Sequence, residues 1–275
     1  MVHARASISG IDSTRFKSAK TIVTPYITTK RFYIPCLIGY TFAMRTVIIL
    51  GIATVLLLLA CAQPLKVNYR TECTRQGDFY TIDIRMPMFP KENPVGALAN
   101  KEVKSIVKQF KIEFLKTMTE NRNNKYLRRM PEPFQLQIRP TIAMARADLI
   151  SLYLEIFWWA GGAHPNTFYR VVNVGLVNGK PQVLGLRDIL DQGVSAETVM
   201  QRVAQQLETV KRQRDPSGEP WMPEKGIPQE YWNSFIFTPS AIVWVFEPYA
   251  VGAYAEGGFL IRLSYEELQG LVRRP

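Results

Sequence analysis

The sequence predicts an α+β fold: antiparallel sheets with packed helices, in two subdomains, preceded by a signal or anchor segment. Three observations carry this. Apolar residues alternate in several separate runs, two longer stretches repeat at helical spacing, and the strand and helix patterns are segregated instead of alternating as β–α–β units. The composition agrees. A chain of 275 residues with 47% hydrophobic and 21% charged residues is neither disordered nor collagen-like.

The elements follow in order. Residues 67–74 and 79–88 form an expected strand pair around Gln76-Gly77-Asp78, with Tyr80, Ile82, Ile84 and Met86 on one face. A helix is expected over about 96–120, because Val103, Ile106, Val107, Phe110, Phe114 and Met118 form one apolar stripe. Residues 134–145 and 149–159 are long β runs, and the second is apolar enough to be central. Residues 161–166 make a tight loop, and the strand that returns over 167–177 runs into Asn178-Gly179, a hairpin signal. One helical turn is expected at 186–190, and Ser195 caps a helix running to about Arg214. Residues 234–238 and 242–246 read as a hairpin across Pro239-Ser240, with a last strand at 259–263. Ser264-Tyr-Glu-Glu267 is a capping box for a short terminal helix. The expected subdomains are 67–160 and 161–275.

The formal charge of +11 is unevenly placed. Residues 1–45 hold seven basic side chains against Asp12 alone, so the chain from Cys61 onward is only mildly basic, which argues against nucleic acid as a partner. Residues 46–60 carry no charge, but fifteen residues are short for a span of roughly 20. Arg45 precedes the run, and Leu58-Leu59-Ala60-Cys61 resembles a bacterial lipobox. Residues 44–60 are therefore expected to be a lipoprotein signal segment and Cys61 the lipidated residue. Localisation would then be the bacterial cell envelope, with residues 62–275 extracytoplasmic. The alternative is a plain transmembrane anchor. Residues 1–43 read as a gene-start extension or a basic tail. Two histidines and three cysteines leave no zinc cluster to expect, and no cofactor is predicted.

Three stretches together resemble a known family. They are Gly161-Gly-Ala-His-Pro-Asn-Thr167; Asn173 to Gly179 running on to Leu186-Arg-Asp-Ile-Leu190; and Phe235 to Tyr249, followed by Ala253-Tyr-Ala-Glu-Gly257. This is similar to the extracytoplasmic module of RsiV-type anti-sigma factors, also found beside a deacetylase domain in PdaC-type peptidoglycan deacetylases. The resemblance covers about residues 67–275. It implies a two-part α+β domain outside the membrane, broken near Gly161, which binds lysozyme in RsiV-type proteins. The sequence departs from both relatives, with no recognisable deacetylase domain downstream and no sigma-binding region upstream.

Several residues invite a functional reading beside a structural one. His164 is the sole histidine after Cys61. A triad would need a nucleophile and a carboxylate, and Ser151, Ser195, Ser234 and Asp148 sit in no nucleophile motif. His164 therefore reads as a loop-bracing or ligand-contact residue, and Gly161, Gly162, Pro165, Pro248 and Tyr249 as structural loop residues. Trp158 faces opposite to Phe157 and Trp159 on a strand, so either Trp158 or Trp159 could stack on a sugar or a partner, or lie in the core. Lys101, Lys104, Lys108 and Lys111 repeat on one helix face, a row for anionic envelope polymers or simply a solvated face. Glu247 and Glu256 could pass for paired glycosidase carboxylates.

The leading expectation is a lipid-anchored, non-catalytic envelope domain that binds a protein or a cell-wall ligand. Expected partners are the membrane through the Cys61 lipid, and lysozyme, another envelope protein or peptidoglycan. The alternatives are a single-span, anti-sigma-like sensor that binds lysozyme and an enzymatic or accessory protein acting on peptidoglycan. Processing that globomycin blocks is the expected outcome for a lipoprotein. Insensitive processing would mark a spanning anchor.

Overall fold

The computed structural model describes residues 64–127 and 132–274. The expected tail 1–43, the signal segment 44–60 and Cys61 lie outside these residues. Among the described residues no helix is long and apolar enough to cross a membrane.

Strands β1 (Asn68–Gln76) and β2 (Tyr80–Met88) pair antiparallel, with Gln76 opposite Tyr80 around the turn at Gly77. Helix α1 (Pro94–Glu120) follows. It starts there because Asn93 accepts the Gly96 N–H at 2.8 Å and Pro94 occupies the first turn, where its missing N–H costs nothing. Gly96 is obligatory, since a Cβ would lie 2.5 Å from the Pro90 carbonyl oxygen. Val103, Val107, Phe110, Phe114 and Met118 are buried along one stripe, as the spacing requires.

The sheet continues through β3 (Phe134–Ala145), β4 (Leu149–Trp159), β5 (Asn166–Val177) and β6 (Lys180–Val183), in the order β1-β2-β3-β4-β5-β6. One sequence expectation changes here. The β2–β3 pair is parallel, with Tyr80 opposite Phe134 and Ile84 opposite Ile138, although the other pairs are antiparallel. The cause is α1: its 27 residues span roughly 40 Å and carry the chain back to the end at which β2 began. The sheet runs on across 160/161, with β5 paired to β4 from Trp158 opposite Asn166 to Leu149 opposite Gly175.

Helix α2 (Ala196–Arg214) is capped by the Ser195 hydroxyl, and Lys211, Arg212 and Arg214 stand in its last turn, where the helix dipole favours positive charge. Strands β7 (Phe235–Phe237), β8 (Ala241–Phe246) and β9 (Phe259–Ser264) make a second, antiparallel sheet. The terminal capping box forms, with Ser264 N–H and hydroxyl both donating to Glu267, but no helix grows from it. Gly270 at φ +74° turns the chain, and Val272 bridges back to Leu190.

The two faces of the large sheet do different work. Ile150, Leu152, Leu154 and Ile156 of β4 join Val172 and Val174 of β5 in the core under α1. The intervening side chains point the other way, where Leu149 packs into a second core with α2, Phe235, Phe237 and Trp244. On that face Ser151 and Asn173 are cross-strand partners and both are buried. The Ser151 hydroxyl donates to Asn173 Oδ1 at 2.7 Å and accepts the Phe237 N–H at 2.7 Å. Asn173 Nδ2 donates to the Phe235 carbonyl at 2.7 Å. Two side chains of the large sheet thus satisfy the backbone of β7.

A Ser151→Ala substitution leaves the Phe237 N–H without its acceptor in a dry seam. It should lower stability by about 1–3 kcal/mol, read as a fall in the midpoint of thermal or urea unfolding. An unchanged midpoint would show that the seam is held by apolar contact alone.

Candidate functional site

The loop between β4 and β5 bends because Gly161 and Gly162 take φ +90° and +113°, which side chains other than glycine rarely adopt. A Cβ on Gly161 would also meet Leu127 at 3.0 Å. The bend presents His164, half-buried, with both ring nitrogens engaged. Nδ1 lies 2.9 Å from the Pro165 carbonyl oxygen, which only accepts, so Nδ1 carries the proton of that bond. Nε2 is then free to accept from the Tyr249 hydroxyl at 3.2 Å.

Tyr249 comes from the turn that follows β8. The Ala250 N–H donates to the Glu247 carbonyl at 3.0 Å, with Pro248 second and Tyr249 third in the turn. Tyr249 sits at φ +71°, as the third residue of a type II turn must, although that place normally falls to glycine or asparagine. The residue is nonetheless 61% exposed. The turn is fixed from below, where the Glu247 carboxylate accepts the Tyr169 N–H and the Arg170 guanidinium, both at 2.8 Å. Burial first, then the charges of Glu155 and Glu247 and the neighbouring Tyr153 phenol, push the Tyr169 hydroxyl above its ordinary pKa, so it stays protonated.

Tyr254 completes the arrangement. Its ring stacks on His164 at 3.8 Å between centroids and 20° between planes. Its hydroxyl donates to the same Pro165 carbonyl at 2.8 Å. Tyr249 and Tyr254 lie 5.4 Å apart, centroid to centroid. The result is a three-ring platform whose members are all pinned, an arrangement suited to stacking and hydrogen bonding.

The other sequence candidates lie elsewhere. Trp158 packs edge-on against Phe114 at 5.2 Å, and half-buried Trp159 joins the same core. Lys101, Lys104 and Lys108 are exposed, whereas Lys111 is ion-paired with Glu72 of β1. Of the serines, Ser151 is in the seam and Ser195 caps α2, while Asp148 pairs with Arg146 at 2.7 Å. Glu247 and Glu256 have separate cations, Arg170 and Lys211. Among the described residues, no group of three or more His, Cys, Asp or Glu side chains is placed to hold a metal ion. The sequence reading missed Tyr254 as a site residue, although Ala253-Tyr-Ala-Glu-Gly257 stood out as a motif. Only the fold brings it 89 residues back to Pro165.

Residues 73–167 match the family model described as deacetylase PdaC, and residues 187–266 match the one described as a protein of unknown function, DUF3298. Each match covers about a third of the chain. The platform joins them, with His164 in the PdaC-type segment and Tyr249 and Tyr254 in the DUF3298-type segment. A DUF3298 family protein of Pseudomonas aeruginosa PAO1 is 16% identical, with a TM-score of 0.50, over 78% of this chain and 96% of its own. A member of that family from Bacteroides fragilis NCTC 9343 is also 16% identical with a TM-score of 0.50, over 76% of this chain and 94% of its own. At this identity the likeness is one of fold. A search of curated proteins found no matching sequence.

The positive φ gives a sharp test of the turn. Tyr249→Gly relieves a strain of about 1 kcal/mol that Tyr249→Ala retains, while both remove the ring. The glycine variant should therefore unfold at the higher temperature. Equal melting of the two would show that Tyr249 is unstrained.

Proposed function

We propose that this chain is a non-catalytic binding domain of the bacterial envelope, lipid-anchored through Cys61, that receives a protein or cell-wall ligand on the His164–Tyr249–Tyr254 platform. The observation that carries the reading is Tyr249. A tyrosine held at φ +71° with its ring exposed is a backbone strain that the fold maintains without burying anything in return. Pinned, exposed aromatic side chains lose little entropy on binding and are the common anchors of interfaces. The sequence resemblance to RsiV-type and PdaC-type proteins, together with the lipobox-like Leu58-Leu59-Ala60-Cys61, favours an extracytoplasmic setting.

Lysozyme is the first ligand to test, since that resemblance implies it. Lysozymes are typically basic and so is this chain from Cys61 onward, so long-range charge would slow the encounter without forbidding a local fit. In calorimetric titration of the full-length protein at low and moderate salt, binding should appear and should weaken about tenfold or more in Tyr249→Ala. No heat at either salt would remove lysozyme, and cosedimentation with peptidoglycan would then decide the wall-binding form. Failure of both, or binding that ignores Tyr249, would overturn the reading.

A further inference from the structure

A cavity of about 380 Å³ opens where the last turn of α2 meets residues 215–221 and 255–259. Trp221 stands at its rim with 60% of its surface exposed. An indole left in water costs hydrophobic free energy, yet this one is deliberately held. Its carbonyl accepts from the Lys211 ammonium at 2.9 Å, and Pro220 just before it restricts the backbone.

Lys211 is the unusual member. Its side chain is 2% exposed, and the ammonium also pairs with Glu256 at 2.9 Å and lies 5.1 Å from the centre of the Phe259 ring. A buried ammonium is a costly way to fill space, and a methionine would fill it at less cost. What the charge adds is position, since it ties the Trp221 loop to the segment that carries Glu256. Partial burial works to raise the Glu256 carboxyl. The Lys211 hydrogen bond, the Ala253 N–H and the charges of Lys211 and Arg214 outweigh it and hold the carboxyl below its ordinary pKa, so it remains an ionised partner. Arg214 is fixed as well, stacked 4.2 Å from the Phe259 ring centre and donating to the carbonyls of Glu256 and Gly258.

The lining therefore combines an exposed aromatic face with planar charged groups. Lys211 and Arg214 oppose Asp215, Glu219 and Glu256, a balance that offers a multiply charged anion no net attraction. A sugar ring suits such a lining, because one face presents C–H groups to an indole while its rim of hydroxyls seeks fixed acceptors. The volume falls near the lower end of the roughly 300–1,000 Å³ of small-molecule sites.

We propose that this cavity is a saccharide site that takes one neutral pyranose unit, its C–H face on Trp221 and its hydroxyls donating to Asp215 and Glu219. Lys211 acts as a positioning residue that ties down the backbone carrying the indole. The site shares the short turn Tyr254–Glu256 with the platform but takes its own ligand.

The test is titration of the full-length protein with three neutral trisaccharides, maltotriose, cellotriose and triacetylchitotriose, followed by saturation-transfer NMR and calorimetry. At least one should bind, with Trp221→Ala weakening it about tenfold or more and Trp221→Phe by only a few-fold. Because Trp221 is exposed, the alanine variant should melt with the parent, so a lost affinity reads on the site and not on the fold. Tyr249→Ala should leave sugar binding unchanged, which separates this site from the platform. Lack of binding by all three sugars would overturn the proposal, as would binding that survives Trp221→Ala.

Discussion

The structure turns on a pair of small polar side chains, Ser151 and Asn173, placed opposite each other in the middle of a sheet. The neighbouring positions of β4 and β5 are apolar and lie under α1, so the sheet could have been a plain two-layer sandwich. Instead its other face meets the backbone of β7, and a buried backbone N–H or C=O needs a partner. The hydroxyl of Ser151 and the amide of Asn173 supply these partners at 2.7 Å. Apolar residues at the two positions would pack but leave Phe235 and Phe237 unsatisfied. Because the strands cross there in only one register, the polar pair also fixes where the second sheet sits, and through it the turn that bears Tyr249.

Most of the architecture could be read from local pattern. The alternation through Tyr80, Ile82, Ile84 and Met86, the stripe from Val103 to Met118 and the Asn178-Gly179 turn each name their element, because each is a period or a dihedral requirement carried by adjacent residues. What escaped depends on partners distant in sequence. The parallel pairing of β2 with β3 follows from where α1 ends, which no alternation records. Ser151 stands in the sequence as one of several serines without a nucleophile motif, and its meaning appears only when Asn173 is aligned beside it. Trp158 faces opposite to Phe157 and Trp159, which leaves either a ligand or the core open to it. It is α1 that covers it, through Phe110 and Phe114. His164 and Tyr249 were each legible as loop residues. Their contact, and the stack with Tyr254, came from tertiary folding alone.

The platform and the cavity solve a common problem with different chemistry. An exposed aromatic ring is free to rotate unless something holds it, and freedom lost on binding weakens affinity. Around His164 the restraint is neutral hydrogen bonding to a shared carbonyl, reinforced by stacking. At Trp221 the restraint is ionic and acts on the backbone, with the ammonium of Lys211 sealed from water.

The strand order of the large sheet repeats the order of the chain. A polypeptide delivered N-terminus first thus finds, at nearly every step, an edge already laid down by the strand before it. Only β3 must wait for a helix to cross. The seam closes late, because 62 residues separate Asn173 from Phe235. Until those residues emerge, the Ser151–Asn173 face stays uncovered. A polar patch at the middle of that face is solvated while it waits, and a half-built sheet bearing it has less apolar surface to offer another chain.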